Sequence, residues 1–310
     1  MKKLIFLFSF FLILFIESFS FHQNGELKGT ISLSGAWAIY PTAVAWAEAF
    51  QRKNPEANIE VSAGGAGKGV ADLLAGFVDI GMVSRDPSPS ELEKGIFPVL
   101  ILHDAVFPII SEKNPFFEEI VKKGIKREIF IALYEGKIKN WDDVIGRKVG
   151  KPIHVYTRSD SCGAGESWAK YLGKKQEDLK GIGVYGDPGI LTSVSRDSLG
   201  IGYSNFSYVF ERDGSILKGI KLVPIDSNNN GIAEKEEVYN KREEASKAIN
   251  QEKYPVRRKN YFFTKGKPKG LLKDFIIFVL SDEGTRIVED IGTSLPLPKE
   301  EREKVLRSLE

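Results

Sequence analysis

Cysteine and histidine are nearly absent from this chain. Its 310 residues hold one cysteine, Cys162, and three histidines, His22, His103 and His154. A single cysteine excludes an internal disulfide and any Cys-rich zinc site. Three histidines leave little room for catalysis built on several imidazoles. A charge excess of either sign is missing too: 44 Lys and Arg stand against 42 Asp and Glu, a formal net charge of +2. A dedicated nucleic-acid binder carries a clear basic excess, so no nucleic-acid partner is expected. What is present is enough apolar material to build a core. Hydrophobic residues make up 42% and charged residues 28%, which rules out wholesale disorder. The length allows two domains of ordinary size.

The N-terminus reads as an address. Met1 is followed by Lys2 and Lys3, an apolar run over residues 4–16, and the small residues Ser18 and Ser20. A basic start, an apolar middle and a small-x-small site make a secretory signal peptide, expected over residues 1–20 with cleavage after Ser20. The alternative is an uncleaved anchor, but the run is shorter than the roughly 20 residues a spanning helix needs. No cysteine lies near the cleavage site, so lipid attachment there is not available. The expected product is periplasmic or extracellular and carries no disulfide despite the oxidising compartment.

Beyond that segment, short apolar strands alternate with amphipathic helices. Residues 31–33 read as a strand, and Pro41 opens a helix with Ala43, Trp46, Ala47 and Phe50 at i, i+3, i+4, i+7. Residues 59–61 form a second strand. A glycine cluster over 64–69 leads into a helix carrying Val70, Leu73, Leu74 and Phe77. Further strands fall at 78–83, 99–102, 105–110, 154–156 and 260–264, and a helix at 271–280. The Lys- and Glu-rich tail after Pro296 reads as a solvated helix. Repeated strand–loop–helix units imply an α/β architecture with mainly parallel strands.

Three strand-to-helix junctions share one chemistry. They are Ser34-Gly35-Ala36-Trp37, the segment 63–69, and Arg158-Ser159-Asp160-Ser161-Cys162-Gly163-Ala164-Gly165. Helix N-termini carry unpaired N–H groups and a partial positive charge, so they bind anions. In open α/β sheets such loops gather at the carboxyl ends of the strands. Each loop taken singly is explained as well by a tight turn. The third adds Arg158, a permanent cation with a planar donor fork, and Asp160, which can hold that fork in place. The second loop lacks the Ser or Thr that a P-loop requires after its lysine.

On these residues the chain resembles the phosphate-binding subunit of bacterial ABC transporters, a type II periplasmic binding protein. The resemblance is carried by residues 34–46, by 63–85 ending in Asp79-Ile80-Gly81-Met82-Val83-Ser84-Arg85, by 136–141 and by 156–172, with support from 199–203 and 261–268. It implies a two-lobed α/β fold with the ligand cleft between lobes, lobe one spanning 27–103 plus 260–310 and lobe two 104–259. It implies a monomer that captures phosphate for a membrane permease, without catalysis and without a required cofactor. Carried over residue by residue, Ala36 and Trp37 match positions that donate backbone N–H groups and Ser84 lies where a second-loop ligand is expected. Arg158 matches the cleft arginine and Asp160 its carboxylate partner, while Ser161, Cys162, Gly163 and Ala164 cover the Ser-Gly-Thr helix start. Two departures stand out. Cys162 and Ala164 replace hydroxyl residues, and the segment ending Ser84-Arg85 lacks the aspartate that some members use to accept the proton of hydrogen phosphate. Asp104 and Glu166 are the candidates to replace it. Tungstate, molybdate or sulfate are the alternative ligands.

Two motifs stand apart. Residues 226–237 fit a twelve-residue calcium loop: Asp226, Asn228 and Asn230 at ligand positions 1, 3 and 5, Gly231 at the turn, the Ile232 carbonyl, and Glu237 closing it. Residues 222–225 before it read as a strand, so the reading is a lone loop with a structural calcium, against a plain polar turn. Cys162 at a helix start beside Arg158 would have a lowered pKa, and with His103 or His154 as base would make a Cys-His hydrolase. No hydrolase signature surrounds it.

Overall fold

The computed structural model describes residues 27–310, so the expected signal segment lies outside the described residues. The strands run in chain order as β1 (Gly29–Gly35), β2 (Ala57–Ala63), β3 (Ile80–Val83), β4 (Ile96–Ser111), β5 (Ile125–Lys126), β6 (His154–Arg158), β7 (Ile182–Val184), β8 (Gly200–Asn205), β9 (Ile220–Leu222), β10 (Ile225–Asp226), β11 (Arg257–Lys265) and β12 (Leu295–Pro296). Among the described residues no helix is long and apolar enough to cross a membrane.

The main sheet runs β2-β1-β3-β11-β4-β8-β6-β7. Its flanks are parallel: β1 pairs with β2 and β3, and β6 with β7 and β8. Helices Tyr40–Lys53 and Ala66–Ala75 make the crossovers on the first flank, as parallel pairing requires. The centre is antiparallel, with β11 against β3 and β4, and β4 against β8. The expectation of mainly parallel strands therefore holds for the flanks and fails in the middle.

The centre fails for a reason visible in β4. Residues 99–102 and 105–110 read as separate runs because His103 and Asp104 interrupt the apolar pattern. The structure makes one strand of them. Its first part pairs with β11 and its last part with β8 and β9. Asp104 is tolerated inside because Arg258 stands opposite it in register and pairs with it at 2.6 Å. A buried carboxylate without such a partner would be costly.

Two apolar cores flank this strand. One draws on β1 to β3, the first half of β4 up to Leu102, and residues from Phe262 onward, including Trp46, Phe50 and Phe275. The other runs from Ala105 to Val256 and adds Leu295. We call these the first and second lobes. β4 and β11 pass between them. In the second lobe Trp168, fully buried on helix Gly163–Leu172, stacks on Tyr203 and meets Phe130 edge-on. That packing fixes the helix whose start faces the first lobe. The tail helix Lys299–Ser308 is less solvated than its composition suggests: Arg302 is buried against the Ser281 carbonyl and Asp282, and Leu309 joins the first core.

Candidate functional site

The carboxyl ends of β1, β3 and β6 deliver Gly35, Ser84 and Arg158 to loops that meet between the lobes. At the first loop Gly35 sits at φ +134°, and a Cβ there would strike the Met82 carbonyl. The same carbonyl accepts the Ala36 N–H at 2.8 Å. The expectation that Ala36 offers a free donor is thus corrected, because the pairing of β1 with β3 runs one residue further than the strand. The N–H groups of Trp37 and Ala38 donate to no protein group among the described residues. The Trp37 ring crosses to the second lobe, where it lies edge-on to Tyr185 and against Gly186.

The second loop is spent on packing rather than on anion binding. Gly64 and Gly65 both donate to the Gly35 carbonyl at 2.9 Å, and the Gly67 N–H crosses to Ser161 O at 3.2 Å. A Cβ on Gly65 would sit 2.6 Å from that carbonyl, and one on Gly67 would sit 2.5 Å from Ser161 Oγ. Glycine is required here because the third loop lies directly on it. Ser161 is accordingly an exposed residue facing the second loop. Ser84 is buried, and its hydroxyl lies so close to Gly163 that a Cβ on that glycine would collide with it. First-lobe hydroxyl and second-lobe helix start are thereby in contact.

Arg158 is the centre of the third loop, and its side chain is wholly buried. Nε and Nη2 grip Asp160 as a fork at 2.8 and 2.6 Å, and Nη1 donates to Asp187 at 2.6 Å. Asp187 also accepts from Ser204 Oγ, Asn205 N and Asn205 Nδ2 at 2.9, 3.0 and 2.7 Å. Burial works against the Arg158 charge, but Asp187, Cys162 and Asp160 together outweigh it and drive its pKa upward. Asp187 was not singled out in the sequence. The only signal was a Gly-Asp pair at the start of helix Gly186–Arg196.

Cys162 caps helix Gly163–Leu172, its sulfur accepting the Gly165 N–H at 3.3 Å, while its own N–H goes to Gln176. Burial pushes the thiol up to about 12, against the pull of Arg158. The lowered pKa expected for a hydrolase nucleophile is therefore reversed. His103 lies beside Glu301 at 3.0 Å and His154 beside Asp197 at 2.6 Å, so both imidazoles are engaged elsewhere.

The two carboxylates expected to take the anion's proton differ in setting. Asp104 Oδ2 accepts from Arg258, leaving Oδ1 buried without a partner among the described residues. Glu166 pairs across the lobes with Arg85 Nε at 2.7 Å, and Arg85 is also forked onto Glu91 at 2.7 and 2.8 Å. Burial raises the Glu166 carboxyl against the pull of Arg85. Glu166 lines a cavity of 580 Å³ between the lobes with Arg85 and Arg258, and a second of 570 Å³ on the second lobe with Arg158 and Ser161.

The loop 226–237 is folded on its own side chains. Asp226, nearly fully buried, accepts the N–H groups of Asn230 and Gly231 at 3.2 and 2.8 Å. Asn228 and Asn230 accept from Asn230 N and Ile232 N, and Glu237 reaches back to Ser227 N at 2.7 Å. Positions 1, 3, 5 and 12 thus share one turn. Among the described residues no group of three or more His, Cys, Asp or Glu surrounds a common point.

Comparison with known proteins adds the following. A family model described as the PBP superfamily domain matches residues 22–283. The phosphate-binding protein PstS of Bacillus subtilis (strain 168) is 29% identical over 280 residues, covering 89% of this chain and 84% of that protein. The phosphate-binding protein PstS of Staphylococcus epidermidis is 27% identical over 276 residues, covering 86% and 79%. A Clostridium perfringens protein solved with bound phosphate superposes with a TM-score of 0.72 at 27% identity, covering 87% of this chain and all of that one.

The Cys162 environment generates a prediction. A thiol held near pKa 12 has almost no thiolate at pH 8. Iodoacetamide should label the native protein at least 100-fold more slowly than the urea-unfolded chain. Labelling of the folded protein at a free-thiol rate would overturn the buried-cap assignment.

Proposed function

Starting from a chain that belongs to the PBP superfamily, we propose that it is an exported, monomeric solute-binding protein that captures inorganic phosphate and presents it to the membrane permease of an ABC importer. It does no chemistry on the anion. One observation carries the reading: Ser84 of the first lobe meets the start of helix Gly163–Leu172 in the second, beside the buried Arg158. An anion seated there receives N–H donors from a helix start and hydroxyl donors from the opposite lobe. The names of the relatives and the phosphate in the Clostridium perfringens structure support the choice of anion.

The mechanism is closure of the lobe 27–103 plus 260–310 onto the lobe 104–259. An anion that touches both lobes stabilises the closed state by its differential affinity for it. Gly67 to Ser161, Arg85 to Glu166 and Trp37 to Gly186 are the protein's own contacts between the lobes. Asp160 and Asp187 fix the Arg158 fork, so the donor geometry exists before the anion arrives. We assign Glu166 as the carboxylate that accepts the phosphate proton, since it lines both the interlobe cavity and the one beside Arg158, and burial makes it more basic.

Calorimetric titration with phosphate tests this. Wild type should bind, and Arg158→Ala should lose about 2–5 kcal/mol of affinity, as truncation of a desolvated charged partner does. Binding of the variant within threefold of wild type would remove Arg158 from the site. In the same titration Glu166→Gln should lose more of its discrimination against sulfate than of its phosphate affinity; unchanged discrimination excludes Glu166.

We also propose that the loop 226–237 takes a structural calcium ion on Asp226, Asn228, Asn230, the Ile232 carbonyl and Glu237. Its two asparagines in place of carboxylates make the expected affinity modest. Calcium at 100 times its dissociation constant should stabilise the fold by about 2.7 kcal/mol. Asp226→Ala should abolish that response and keep phosphate binding. Identical melting curves in calcium and in chelator would defeat the proposal.

A further inference from the structure

We propose that Arg258, on the crossing strand β11, is a direct ligand of the anion and supplies donors that the third loop has lost. The inference rests on the oxyanion-capture reading above. The hydroxyls that the resemblance implies at positions 162 and 164 are absent. The sulfur of Cys162 is an acceptor for Gly165 N–H, and Ala164 has no polar atom. A site short of two donors needs them from elsewhere.

Arg258 has the surplus. Its residue is 9% exposed, yet it lines the 580 Å³ cavity between the lobes together with Arg85 and Glu166. Nε and Nη2 both converge on a single oxygen, Asp104 Oδ2, at 3.0 and 2.6 Å. Nη2 also meets Asn205 Oδ1. A guanidinium placed only to neutralise a carboxylate would engage both of its oxygens fork to fork. Here Nη1 is left buried with no partner among the described residues. Buried polar groups are satisfied in the great majority of cases, so an unsatisfied one on a residue that lines a cavity points to a ligand. Two residues along the same strand face, Asn260 is fully buried and both of its amide atoms lack a partner among the described residues as well.

The position fits the proposed site. Arg258 binds Asn205, Asn205 binds Asp187, and Asp187 binds Arg158 Nη1, so two side chains separate the guanidinium groups. Arg258 lies on a strand that joins the lobes, whereas Arg158 lies inside the second lobe. The anion then contacts first lobe, second lobe and connecting strand at once.

The experiment is phosphate calorimetry on wild type, Arg258→Gln, Arg258→Lys and Asp104→Asn, with thermal melts to establish folding. Arg258→Gln should weaken binding at least 30-fold. Arg258→Lys, which keeps the charge and loses the fork, should weaken it about tenfold. Asp104→Asn keeps the guanidinium but loosens its hold, and should weaken binding less than tenfold. If Arg258 acted only by positioning Asn205 and Asp187 within the network, Asp104→Asn would weaken binding as much as Arg258→Gln, and that result overturns the proposal. So does binding by either Arg258 variant within threefold of wild type, which leaves the phosphate reading intact. Wild type that binds no phosphate removes both.

Discussion

The site depends on one buried guanidinium and the two carboxylates that pair with it. Arg158 has no access to water, and a guanidinium in that position persists only if its charge is matched. Asp160 and Asp187 match it from two sides. At close contact each such pair is worth about 4 kcal/mol at an effective dielectric of 20, which is the scale needed to offset desolvation. Asp187 in turn is held by four donors, three of them from Ser204 and Asn205 at the end of β8. The third loop is therefore anchored to the sheet of the second lobe, and helix Gly163–Leu172 starts where that loop ends.

This balance has a consequence for recognition. The buried network contains two guanidinium groups, Arg158 and Arg258, and three carboxylates, Asp160, Asp187 and Asp104. On the proposed reading net positive charge is therefore not what attracts the ligand; the attraction comes from oriented donors, the backbone N–H groups at a helix start, the Ser84 hydroxyl and the guanidinium groups. Such donors select by geometry and by protonation state, which a bare positive patch does not.

Much of this was legible in the residues and some was not. The strand–loop–helix rhythm, the helix after Pro41 and the Arg158–Asp160 fork all follow from local spacing, and the structure contains them. Four stretches in family order pointed to the fold class, and the PBP superfamily match agrees. Long-range facts were hidden. Nothing local shows that Ala36 gives its N–H to Met82, or that Gly65 and Gly67 are small because Ser161 lies on them. Residues 99–102 and 105–110 looked like two strands because Asp104 breaks the apolar run, and only Arg258, 154 positions away, explains why it does not break the strand. Cys162 looked activated beside Arg158. Burial decided otherwise, and burial is a property of the packed helix rather than of the neighbouring letters.

The central claim is that the cleft takes phosphate in preference to other tetrahedral oxyanions. Equilibrium competition on the wild-type protein tests it most directly, with labelled phosphate bound and sulfate, molybdate or tungstate added at equal concentration near neutral pH. Only phosphate keeps a proton there, and a carboxylate facing the anion favours that proton. The account predicts that none of the three displaces phosphate measurably. Displacement by any of them at equal concentration contradicts the phosphate assignment and leaves capture of oxyanions in general.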